Sequence, residues 1–359
     1  KEAIDGRGSA PNRTTKPILP KSKSRKNKLS RRKLKLRDDW KDWNDSEMLQ
    51  LDQYEKQQMF GQPTILPEGA NCLPLLWTYL HKDDGRKKAR CVCNGSPSRK
   101  GTVTLGHTYA SSLDQNGARI FWAAAALKNH RIYAADVSNA FAEAPPPKAP
   151  LYVRIDEQYR EWWINKGNKP IPRNLVLPVK RALQGHPESS RLWAILINNI
   201  LVNELNLQPT KHEPCLYHGT FKGKEILFLR QVDDFAIACE SETIAKELLA
   251  AINTKMSVNI KYLGLVDRFN GVDIDQKREY IKIHNKTYIR KILKNYAWIW
   301  KDRYKPNNPL PMKAEHGYQK LLEEAPTPMT PDAITALQHK MGFNYRQAIG
   351  ELLYAMVTC

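Results

Sequence analysis

Between Ile226 and Cys239 the chain reads I-L-F-L-R-Q-V-D-D-F-A-I-A-C, with Asp233 and Asp234 side by side between two apolar runs. This segment constrains the fold more than any other. The flanking runs read as strands, but aspartate is depleted in strands and adjacent carboxylates repel each other. The pair persists most easily at the tip of a tight β-hairpin, where solvent or a divalent cation meets it. Mg²⁺ takes hard oxygen ligands and suits such a tip. An ordinary hairpin turn accounts for the same residues, so the segment alone leaves both readings open.

A second segment, R-I-Y-A-A-D-V-S-N-A-F at 131–141, places Asp136 at the end of another apolar strand. A lone aspartate there is a cap or a turn. Three carboxylates on adjacent strand ends are what two-metal phosphoryl transfer requires. The surrounding pattern supplies a scaffold. A short helix is expected from Met48 to a stop at Gly61, and L-L-W-T-Y-L at 75–80 and R-K-K-A-R-C-V-C at 86–93 form a strand, turn and strand around Asp83-Asp84-Gly85. Helices are expected over 117–130, 188–207 and 242–257, the last with Ile244, Leu248, Leu249, Ile252 and Met256 on one face. Pro145-Pro146-Pro147 interrupts regular structure. Strands joined by tight turns, with helices between them and no regular strand-helix alternation, indicate an α+β fold.

The charge names a class of partner. Lys and Arg number 57 against 37 Asp and Glu in 359 residues, a net charge of +20. With a pI near 9.6 this points to a polyanion, most simply nucleic acid. Residues 1–37 carry fourteen Lys/Arg against Glu2 and Asp5, more than half of the net charge. They hold too few large apolar residues to offset the entropy of ordering, so residues 1–45 are expected to be a disordered basic arm or linker. Its run from Lys21 to Arg37 suits a nuclear import address, an RNA-holding arm or a solvated linker. Mean hydropathy is −0.59 and no uninterrupted apolar stretch reaches ~18 residues, which excludes a membrane-spanning helix. Six scattered cysteines read as free thiols in a reduced intracellular setting. Cys91 and Cys93 have no second Cys or His pair at zinc spacing and read as structural.

The ordered motifs resemble the reverse transcriptase domain of copia-type long-terminal-repeat retrotransposons. D-V-S-N-A-F at 136–141 looks like the family's first catalytic motif, R-A-L-Q-G-H-P-E-S-S-R-L-W at 181–193 like its template and nucleotide motif, and Q-V-D-D at 231–234 like its Y-V-D-D. L-Y-V-R-I-D-E-Q-Y at 151–159 and H-E-P-C-L-Y at 212–217 fall between them where the family has comparable segments. Y-L-G-L-V-D-R-F-N-G-V-D-I at 262–274, Y-I-K-I-H-N-K-T-Y-I-R-K-I-L at 280–293 and Y-R-Q-A-I-G-E-L-L-Y at 345–354 look like the closing segments.

The resemblance implies a right-hand polymerase fold over residues 46–359, with fingers and an antiparallel-sheet palm over about 47–265 and the end of the palm with a partial thumb or connection over about 266–359. It implies an RNA-directed DNA polymerase with two Mg²⁺ ions, or Mn²⁺, held by Asp136, Asp233, Asp234 and the carbonyl of Val137. Phe141 matches the bulky residue beneath the sugar, which selects deoxynucleotides by clashing with a 2′-hydroxyl. Gln184 and Gly185 match the place where the enzyme closes over the incoming nucleotide and template base, and Lys88 and Arg90 match the finger segment that holds the triphosphate. Implied partners are an RNA template, a DNA primer, deoxynucleoside triphosphates and other segments of the same polyprotein, with no membrane. The implied setting is a cytoplasmic virus-like particle or the nucleus, on a DNA integration pathway. Gln231 replaces the usual Tyr, and Ala142 and Ala144 stand where Leu and Gly are common. The end at Cys359 reads as that of a fragment, without protease, integrase or ribonuclease H. An inactive RNA-binding remnant and a metal-dependent nuclease are the competing readings.

Overall fold

The computed structural model describes residues 30–81, 85–96, 108–257, 260–296 and 330–358. The fold is α+β, with mainly antiparallel sheets. The first sheet contains β1 (Thr64–Ile65), β2 (Asn71–His81), β3 (Lys87–Cys93), β5 (Leu151–Arg154) and β6 (Leu175–Pro178) in the order β1-β6-β5-β2-β3. Only β2 and β5 pair in parallel there. The second contains β4 (Arg131–Asp136), β7 (Gln208–Pro209), β8 (Leu216–Phe221), β9 (Lys224–Gln231), β10 (Asp234–Cys239) and β11 (Lys261–Leu265) in the order β11-β4-β10-β9-β8-β7, antiparallel throughout. A small third sheet joins β12 (Arg268–Phe269), β13 (Val272–Gln276) and β14 (Ile281–His284).

The helices are α1 (Arg31–Leu34), α2 (Trp40–Lys56), α3 (Gln115–Leu127), α4 (Glu157–Asn165), α5 (Ser189–Asn199), α6 (Glu242–Asn253), α7 (Lys286–Asn295), α8 (Pro331–Met341) and α9 (Tyr345–Thr358). The expected helix over 188–207 is α5 continued by a π-helical turn at Ile200–Glu204.

The second sheet is buried on both faces. Tyr133, Ala135, Phe228, Phe235 and Ile237 pack with Trp193 and Ile197 of α5 and Ala245, Leu248 and Leu249 of α6. The alternate residues Ile132, Ala134, Leu227, Leu229, Ala236 and Ala238 pack with Phe121, Trp122 and Ala125 of α3 and with Phe269 and Ile274 of the small sheet. Successive side chains of a strand point to opposite faces, so burial of both faces explains why β9 and β10 read as continuous apolar runs.

The folded body includes Arg31–Leu34 and the first turns of Trp40–Lys56, ahead of the expected start at residue 46. Leu34 and Trp43 are wholly buried. Arg31 is held by Glu47 (3.0 Å) and by Glu161, and Lys35 reaches Glu157 at 3.0 Å. Acidic groups of α2 and α4 thus neutralise the end of the basic run, which composition alone assigned to the arm. Residues 1–29, including most of that arm, lie outside the described residues. So does part of the expected turn at 83–85.

Strand β3 lies at an edge of its sheet, where unpaired backbone groups normally face solvent. Here α2 and the loop after β6 cover it. The Ala89 N–H donates to Ser46 Oγ (2.8 Å), the Tyr54 hydroxyl donates to the Cys91 carbonyl (2.7 Å), and the Cys93 N–H donates to the Gln184 carbonyl (2.8 Å). Cys91 and Cys93 are buried free thiols, and burial pushes both well above the usual thiol range, Cys93 to about 12. They are protonated and inert, which agrees with a structural role. Among the described residues no helix is long and apolar enough to cross a membrane.

Candidate active site

The strand register brings the three aspartates together. Asp136 ends β4, Asp234 begins β10, and the two are direct cross-strand partners. Asp233 occupies the β9–β10 turn, and its carbonyl accepts the Val137 N–H at 2.9 Å. This bond ties the turn to the loop that follows Asp136. Val232, the other turn residue, has φ +57°, a left-handed conformation that costs a β-branched residue strain. The Trp193 indole N–H donates to the Val232 carbonyl at 2.6 Å and pins that conformation. Gln231, the departure from the family's Tyr, accepts the Leu113 N–H through Oε1 (3.1 Å) and secures the segment that enters α3.

These groups open on a cleft of about 620 Å³ whose lining includes Lys88, Arg90, Asp136, Val137, Phe141, Gln184, Asp233 and Asp234. Eight of the nine positions singled out in the sequence therefore face one space. Gly185 is the exception. Its φ is +93° and a Cβ would collide with the Cys93 carbonyl oxygen, so its close approach is to the finger strand rather than to the cleft. The cleft also receives residues that sequence reasoning missed, among them Gln50 and Gln53 of α2, Asn139 and Lys261. Lys261 is the cross-strand partner of Asp136 on β11, and its one signal is a position just before Y-L-G. Asn139 adopts φ +53°, and its side-chain amide donates to Gln53 Oε1 at 2.9 Å.

The electrostatics suit a cation. Desolvation, with a further push from Asp136, raises the Asp233 carboxyl above its ordinary value, while Arg90 and Lys88 pull it down. Desolvation and then Asp233 and Asp136 raise Asp234 to about 6. Such a surplus of carboxylate charge on hard oxygen donors fits Mg²⁺. Among the described residues no three carboxylate, imidazole or thiol groups form a ready-made metal cage, this trio included.

A family model described as reverse transcriptase (RNA-dependent DNA polymerase) matches residues 63–306. The chain belongs to the reverse transcriptase family. The six-stranded sheet that bears the aspartates is termed the palm and the five-stranded sheet the fingers, after the expectation drawn from the motifs. No curated protein matches the chain. Among solved structures it is similar to an apo telomerase from Candida tropicalis truncated from its C-terminal domain, at 11% identity and TM-score 0.37, covering 67% of this chain and 59% of that one. It is also similar to a telomerase from Candida albicans in complex with a fragment of telomeric RNA, at 12% identity and TM-score 0.36, covering 71% and 55%. The chain thus spans less than two thirds of either telomerase.

Proposed function

We propose that this reverse transcriptase chain is an RNA-directed DNA polymerase of copia type, extending a DNA primer on an RNA template by two-metal phosphoryl transfer. The observation that carries the proposal is the register of Asp136 opposite Asp234 with Asp233 in the turn between strands. Asp136, Asp233, Asp234 and the Val137 carbonyl would hold the metal. Bound there, Mg²⁺ supplies charge neutralisation for the attacking primer 3′-hydroxyl and for the departing pyrophosphate.

The protein's own share is positioning. Lys88 and Arg90 on β3 bind the triphosphate of the incoming deoxynucleotide. Phe141 packs beneath its sugar and disfavours a 2′-hydroxyl, and Gln184 contacts the nucleotide against its template base. The primer 3′-oxygen forms a bond to the α-phosphorus, the bond to the bridging α–β oxygen breaks, and pyrophosphate leaves with the hydroxyl proton passing to solvent. The cleft that Lys88, Arg90, Phe141 and Gln184 share supports these roles. The RNA template and the remaining polyprotein segments complete the set of partners in this reading, with a virus-like particle or the nucleus as its setting.

The test is Mg²⁺-dependent extension of a DNA primer on an RNA template by the full chain, beside a variant carrying Asp233→Ala and Asp234→Ala. Extension by the parent alone is the expected result. Salt-sensitive RNA binding by both proteins without extension by either would establish the RNA-binding remnant instead.

A further inference from the structure

Helix α2 borders the cleft, and the polymerase reading gives it no task. Ser46, Gln50, Gln53 and Gln57 fall on one face of it. Three of them are committed to the protein. Ser46 accepts the Ala89 N–H between Lys88 and Arg90, Gln53 accepts from Asn139, and Gln57 donates to Glu143 at 2.8 Å. Gln50 differs. It lines the cleft, it is only 5% exposed, and its Nε2 is buried without a hydrogen-bond partner. A buried amide donor left unpaired costs stability, and native structures rarely keep one without a use.

The position of Gln50 along the helix says what the missing partner is. One turn toward the N-terminus, Ser46 is bonded to the strand that carries Lys88 and Arg90. One turn toward the C-terminus, Gln53 is bonded to the loop that carries Phe141. Gln50 therefore stands between the cationic strand and the sugar-facing loop, where a ligand spanning both must pass. We infer that Gln50 is a donor to the triphosphate of the incoming nucleotide, its amide turning out of its enclosed position in the free protein so that the Nε2 hydrogens bond a non-bridging phosphate oxygen. The inference rests on the polymerase reading for the nature of the ligand. It makes α2 part of the substrate site rather than a brace outside it, and it explains why a polar side chain occupies a position that packing would fill with leucine.

The experiment titrates the full chain with dATP and, separately, with inorganic tripolyphosphate, in Mg²⁺, by calorimetry. The parent is compared with Gln50→Leu, which removes the donor and fills the space, and with Gln50→Glu, which keeps the size and turns an acceptor toward the phosphates. The expected result is a loss of roughly tenfold in affinity for both probes in Gln50→Leu and a larger loss in Gln50→Glu. Free Gln50→Leu should also melt higher than the parent, because an unpaired buried amide is gone. Unchanged affinity in Gln50→Leu overturns the inference. So does a lower melting temperature of that variant, which marks a structural glutamine, and so does a parent that binds neither probe. Primer extension separates the two readings. A parent that binds dATP through Gln50 yet never extends a primer defeats the polymerase reading alone. Normal extension with an unchanged KM for nucleotide in Gln50→Leu defeats this inference alone.

Discussion

The palm and the fingers meet the same cleft with different chemistry. The palm is positioned by apolar packing on two faces of one sheet, and its carboxylates fall into place once β4, β9 and β10 are in register. The fingers strand β3 is positioned along its free edge by polar groups from elsewhere in the chain, Ser46, Tyr54 and the Gln184 carbonyl. Apolar packing tolerates the loss of a methyl group by partial relaxation, whereas a buried backbone group that loses its partner has nothing to relax toward. The difference teaches that the geometry of the three aspartates and that of Lys88 and Arg90 respond to separate sets of mutations.

Substitutions from strongest to weakest effect test that separation. Asp136→Asn should lower primer extension a thousandfold or more, about 4 kcal/mol in the transition state, while leaving thermal unfolding close to that of the parent. Residual activity within tenfold of the parent would remove Asp136 from the metal set. Trp43→Ala, which empties a wholly buried position in α2, should cost about 3–5 kcal/mol in urea unfolding. Its hydrogen-exchange protection should fall first in β2 and β3, and a loss that begins in β9 and β10 would contradict the division of labour.

Smaller effects sharpen the contrast. Tyr54→Phe leaves the Cys91 carbonyl without its donor and should cost about 1–2 kcal/mol, with nucleotide affinity falling and metal affinity unchanged. Trp193→Phe releases the Val232 carbonyl and should have the opposite signature, weaker Mg²⁺ binding at unchanged affinity for tripolyphosphate.

The smallest effect is a pH dependence. Desolvation and its acidic neighbours raise Asp234 to about 6. Without divalent ions the folded protein therefore holds that proton more tightly than the unfolded chain, and the associated stability is lost as pH rises from the ordinary carboxylate range through 6. Asp234→Asn in EDTA should melt higher than the parent above pH 6 and converge with it near pH 4. A constant offset across that range would mean that Asp234 is not the titrating group.

The palm was legible because its physics is local. Two buried faces make apolar runs, and three aspartates ending those runs stand out against them. Ser189–Asn199 and Glu242–Asn253 announced themselves by the apolar stripes that cover one of those faces. Helix α2 was read as beginning near Met48 because its first turns carry Lys41, Asp42 and Asp45, and because the buried positions include Glu47 and Gln50, residue types that composition assigns to solvent. Arg31 and Leu34 were hidden in the same way, by the basic run around them and by partners, Glu47 and Glu161, that no local pattern connects to them. The motif sets Gly185 beside the nucleotide and template base, but its close approach is to Cys93 on a strand more than ninety positions upstream in number, a relation that only tertiary structure supplies.

Val232 carries one further consequence. A branched side chain held left-handed at the tip of the carboxylate hairpin is a place where conformational energy of order 1–3 kcal/mol is stored. Glycine or asparagine there would release it. A laboratory selection for heat resistance alone should therefore arrive at Val232 early, and a selection that also demands DNA synthesis should avoid it.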